Sequence, residues 1–67
     1  MNESNELMIV LEGRNWIYFL TDETTVSGAW KEFHTKCEKL DINIDNCRIV
    51  RMDLRDPSGN TIESKQS

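Results

Sequence analysis

Glycine, proline, cysteine and histidine are all scarce in this 67-residue chain, at three, one, two and one residues. Three glycines dispersed at 13, 28 and 59 build no phosphate-cradling loop, and neither a metalloprotease helix nor a nucleophile elbow is present. No apolar run is long enough to cross a bilayer. Met1 to Asn5 is polar and acidic, not a basic segment leading into an apolar one, so a cytoplasmic protein is expected. The sequon Asn2-Glu3-Ser4 carries no weight in that setting. A Cys37–Cys47 disulfide satisfies the count but runs against a reducing compartment.

Metal and catalytic chemistry are thinly provided. His34 and Cys37 stand three apart and Cys47 follows, with Asp41 or Asp45 available as a fourth ligand. A structural zinc site normally shows two close ligand pairs, whereas here there is one, and Cys37 also falls on an apolar stripe. The sequence therefore implies no metal and no cofactor. A Cys–His nucleophile needs an accessible thiol, and the carboxylate pairs Glu38 with Asp41 and Asp53 with Asp56 read as solvated surface. A chain this short leaves little room for a substrate cavity. The expectation is a protein that is not an enzyme.

Basic residues are outnumbered eight to twelve, for a net charge of −4. That sign repels phosphate at long range and disfavours nucleic acid and anionic membranes, while it suits a basic protein partner.

What the chain does have is apolar residues in patterned runs. Leu7 to Glu12 and Asn15 to Thr21 read as two strands joined by Glu12-Gly13-Arg14-Asn15, taken as a two-residue hairpin with Gly13 at the position requiring positive φ. That register places Leu11, Ile9 and Leu7 opposite Trp16, Tyr18 and Leu20 on one face, and Val10 and Met8 opposite Ile17 and Phe19 on the other. Both faces want burial. The larger one, with Trp16 and Tyr18, has the stronger claim to the single helix by area, but the pattern does not choose.

Val26, Ala29, Trp30, Phe33, Cys37 and Leu40 recur at helical spacing on one stripe. Thr25 is the expected N-cap, Asp22 and Glu23 precede the positive end of the helix dipole, and Lys36 and Lys39 lie near its negative end. Gly28 costs about 1 kcal/mol relative to alanine, with no packing reason visible in the pattern. Cys47 to Arg55 reads as a third strand with Val50, Met52 and Leu54 on one side and Ile49, Arg51, Asp53 and Arg55 on the other. Asp56-Pro57-Ser58-Gly59 is a turn, and Asn60 to Glu63 is expected to return as a short edge strand.

Together these give one α+β domain over residues 1–67, with residues 1–6 and 64–67 as loose ends. Its expected form is ββαβ(β), an antiparallel three- to four-stranded sheet in order 2-1-3-4 with one helix on one face. The small core at this length makes association a natural supplement to stability. The surface expected to bind a partner is Trp16, Tyr18, Phe19, Met8, Val10 and Ile17, rimmed by Glu12, Asp22, Glu23 and Glu38. The alternatives are a homodimer or assembly subunit, and a sheet that stacks bases on Trp16 and Tyr18 while Arg48, Arg51 and Arg55 hold phosphates. Acids interrupt those arginines and no RNA-recognition signature accompanies them.

In size, charge and order of elements the chain resembles the compact acidic proteins with which phages and other mobile elements block host enzymes, including polymerase inhibitors and anti-CRISPR proteins. The resemblance implies a non-enzymatic inhibitor that occludes a basic nucleic-acid groove or an assembly surface of a protein partner, one that is basic or nucleic-acid-binding. It covers outline and no motif, so no residue is carried over.

Overall fold

The computed structural model describes residues 4–66. The chain runs β1 (Asn5–Leu11), β2 (Asn15–Thr21), α1 (Val26–Lys39), a 3-10 turn at Ile44–Asn46, β3 (Ile49–Arg55) and β4 (Thr61–Gln66). The four strands form one antiparallel sheet in the order β2-β1-β3-β4, and α1 lies across one face. The α+β architecture and the 2-1-3-4 order are those the sequence implied. Met1 to Glu3, with the sequon's Asn2 and Glu3, lie outside the described residues, as does Ser67. Asn5 and Glu6 belong to β1 and Ser64 to Gln66 to β4, so both strands run farther than expected.

The first correction concerns the hairpin. Leu11 pairs with Asn15, Val10 with Trp16, Ile9 with Ile17, Met8 with Tyr18 and Leu7 with Phe19, so the loop holds three residues and not two. Gly13 and Arg14 both take positive φ, 89° and 67°. The cause lies on the neighbouring strand's side: the Glu12 N–H is donated to the Arg48 carbonyl at 3.0 Å, which leaves Glu12 outside the pairing with β2. A slip of one residue exchanges partners across the sheet. The buried face is therefore Leu7, Ile9 and Leu11 with Phe19 and Ile17, and neither of the two faces expected from the sequence.

The second correction is a bulge in β3. Arg51 pairs with Val10 but Ile49 pairs with Leu11, so Val50 is the extra residue. The phase of the strand inverts there. Ile49 packs against the core while Val50 is 44% exposed, the reverse of the expected alternation.

Val26, Ala29, Phe33 and Cys37 bury the helix stripe against Leu7, Ile9 and Leu54, with Trp30 half-buried beside them. Phe19 meets Phe33 edge-on at 5.3 Å between centroids, an arrangement that adds to the value of the buried area. Leu40 was expected on this stripe but is the C-cap and is largely exposed. Beyond it Asp41 takes φ 57°, the Asp41 N–H is donated to the Glu38 carbonyl and the Ile42 N–H to the Cys37 carbonyl. This is a Schellman stop, with aspartate where glycine is usual.

The N-terminus of α1 is tied down twice. Thr25 is the N-cap and its hydroxyl accepts the Gly28 N–H at 3.1 Å. The Glu63 carboxylate of β4 accepts the Val26 N–H at 2.6 Å, and Lys65 Nζ donates to Ser27 Oγ, also at 2.6 Å. Helix N-terminal N–H groups lack intrahelical acceptors and favour a negative charge, so Glu63 serves both needs. At Gly28 a Cβ would crowd the capping Thr25 hydroxyl at 3.0 Å and displace the exposed, flexible Glu23 carboxylate.

Candidate functional site

Registers across all four strands order the uncovered face into three rows. Leu20, Glu6 and Arg55 form one, Tyr18, Met8, Asp53 and Ser64 the second, and Trp16, Val10, Arg51 and Gln66 the third. The face is thus graded, apolar over β2 and β1 and polar over β3 and β4.

At the apolar end Trp16, Tyr18 and Leu20 are 55%, 54% and 67% exposed. They stand at i, i+2 and i+4 of an edge strand and so share a face. Met8 is buried and Val10 half-buried behind them, flooring the patch. Three large apolar side chains held side by side on a rigid strand resemble the centre of a binding surface more than scattered exposed apolar residues do.

The polar end is built differently. Asp53 was read as solvated, but it is 6% exposed. Its Oδ1 accepts from Ser64 Oγ at 2.7 Å and its Oδ2 lies 3.0 Å from Arg51 Nε. Those partners are what permit a carboxylate to be buried. Arg55 stands opposite Glu6 in the register, and Arg48 Nε lies 3.5 Å from Glu12 Oε2 at the hairpin end. Each of the three arginines thus has a carboxylate as neighbour.

Of the residues expected to bind a partner, Trp16, Tyr18, Met8 and Val10 are brought together on the open face. Ile17 and Phe19 are not. They point to the helix side, where they pack against the core and Lys36 Nζ sits 5.7 Å from the Phe19 ring centroid. Glu12 lies at the hairpin end of β2, and Asp22 and Glu23 follow its other end, so these acids flank the strand. Glu38 is on α1, bonded to His34 Nδ1 at 2.9 Å, and stands apart from the open face. Leu20 and Glu6 join the face in their place. The two-residue period of a strand already groups Leu20 with Trp16 and Tyr18, so Leu20 follows once those two are assigned outward.

Cys37 is buried in the helix stripe and Cys47 is exposed after the 3-10 turn, both as free thiols. Among the described residues no three potential metal ligands gather, and the side chain of Asp45 is outside that set. A shallow, open groove of about 750 Å³ runs between β2 and the outer side of α1, lined in part by Phe19, Leu20, Lys36 and Glu32. No described helix is long and apolar enough to cross a membrane. No family model matches the chain, and no curated protein or solved structure matches it either.

Proposed function

We propose that this chain is a non-enzymatic module that acts by binding another protein through the open face of its sheet. The observation that carries the reading is the exposed row Trp16, Tyr18 and Leu20 on one rigid edge strand. Aromatic side chains bring large contact area at small entropic cost, which is why they dominate binding surfaces. The net charge of −4 and the acids at both ends of β2, Glu12 on one side and Asp22 and Glu23 on the other, favour a basic surface on the partner. Such a partner, itself a nucleic-acid-binding protein, is what an acidic inhibitor of a host enzyme would occlude, and a cytoplasmic site of action fits that role.

Nucleic acid is the weaker reading. Trp16 and Tyr18 are exposed on the sheet, yet Arg48 and Arg51 lie within 3.5 Å of carboxylates and Arg55 faces Glu6. Base-stacking sheets rely on unopposed positive charge to hold the backbone.

The test is capture of binding proteins by wild type and by folded Trp16→Ser and Leu20→Ser variants. Loss of the captured partners in both variants is expected. Undiminished capture would remove the open face from the function, and capture of nucleic acid with steep salt dependence would replace the reading.

A further inference from the structure

We infer that the first partner of β2 is a second copy of β2, joined edge to edge and antiparallel about a two-fold axis through Tyr18, so that two four-stranded sheets become one of eight strands. The inference deepens the proposed function, on which it rests, because it makes the binding surface a composite of two chains.

The argument begins with the state of the edge. β2 pairs with β1 on one side only, over seven residues, without a bulge in the register. Its sequence Asn15-Trp16-Ile17-Tyr18-Phe19-Leu20-Thr21 contains no charge and no proline. Proteins protect edge strands with inward charges, bulges, prolines or a cover. β4, the opposite edge, has such protection: Glu63 and Lys65 point to the helix side and a bulge lies between Leu54 and Arg55. β2 has none, which marks it as an edge to be paired.

Charge then selects the occupant and its register. A two-fold axis normal to the sheet keeps every side chain on its own face, so only residues of like facing can stand opposite one another. Centred on Tyr18, the pairing sets Trp16 against the partner's Leu20 and Tyr18 against the partner's Tyr18 on the open face. On the helix side it sets Ile17 against the partner's Phe19. One step beyond the strand, where the hairpin loop of one copy meets the bend after β2 of the other, it brings Arg14 beside the partner's Asp22 and Glu23, with Glu12 already held by Arg48, and the symmetry repeats that cluster at the other end. The neighbouring registers lose this. Centring on Ile17 sets Asp22 against the partner's Glu12, two like charges, and centring on Phe19 sets Asp22 against the partner's Trp16. Of these three registers, the one centred on Tyr18 alone sets opposite charges together at the strand ends.

This pairing leaves the open face uncovered and enlarges it. Trp16, Tyr18 and Leu20 of one copy adjoin the same three residues of the other, giving a continuous apolar strip across the two-fold axis. On the helix side the groove beside Phe19 faces its symmetry mate, so Ile17 and Phe19 of both copies converge there.

The experiment is sedimentation equilibrium of the full chain over a wide concentration range, with four variants checked for folding by circular dichroism. Wild type is expected to dimerise. Asp22→Arg and Arg14→Asp each set like charges against each other and should weaken the dimer by roughly tenfold. The double variant Arg14→Asp/Asp22→Arg keeps the net charge and should restore the wild-type dimer. Tyr18→Lys, at an exposed position, places two cations at the axis and should leave a monomer. A wild-type monomer at every concentration overturns the inference and leaves the open face of a single chain to carry the proposed function. A dimer that ignores Asp22→Arg and Tyr18→Lys, or a double variant that is not restored, overturns the edge pairing or its register. A dimer that behaves as expected while protein capture is indifferent to Trp16→Ser would keep the pairing and remove the functional reading.

Discussion

The two edges of the sheet were built by opposite rules. β4 is polar apart from the exposed Ile62, carries a bulge at its start, and commits Glu63 and Lys65 to the first turn of α1. β2 is regular, uncharged and rich in large apolar side chains, with one face on the core and the other in solvent. A short domain with a small core can ill spare apolar residues for the outside. That Trp16, Tyr18 and Leu20 are nonetheless exposed there is what the proposed association through β2 would account for, whereas β4 spends its charged side chains on holding α1.

The comparison is broken most forcefully on β2 itself. Phe19 is half-buried and packs edge-on against Phe33, so Phe19→Ala should cost about 2–3 kcal/mol in stability. The readout is the midpoint of a urea titration at constant slope. Next comes β4. Glu63→Ala leaves the Val26 N–H without its carboxylate and should cost about 2 kcal/mol by the same assay, an effect unusual for a position on an edge strand. The smallest effect sharpens the contrast: Leu20→Ser, at 67% exposure, should shift stability by no more than about 0.5 kcal/mol while abolishing partner capture. A larger loss of stability there would mean that the patch belongs to the fold.

Element order was legible because three independent signals agreed: a period of 3.6 from Val26 to Cys37, a turn at Asp56 to Gly59, and the crossover rule. The faces of the hairpin were less legible. Gly13 pointed to a two-residue loop, and only the long-range bond from Glu12 to Arg48 reveals why three residues are used. One residue of slip exchanged the cross-strand partners of every side chain on β2, while Ile17 and Phe19 were named beside Trp16 because two apolar faces and one helix gave no local sign of which face is covered. The bulge at Val50 inverted Ile49 for a similar reason, since the extra residue is defined only by its pairing with β1. Asp53 looked like a solvated strand acid because its burial depends on Ser64, eleven residues away. Local pattern carried the elements, and contacts between distant residues decided which sides of them face out.

The reach of Glu63 to Val26 also has a kinetic meaning. The carboxylate and the N–H it holds are 37 residues apart, so the bond closes a long loop and is expected to form late, once β4 and α1 lie side by side. An interaction that forms so late contributes little to the barrier the chain climbs on folding and much to the one it climbs on unfolding. The tie between β4 and the helix therefore acts as a latch on the lifetime of the native state, and removing it should speed unfolding while leaving the folding rate nearly unchanged.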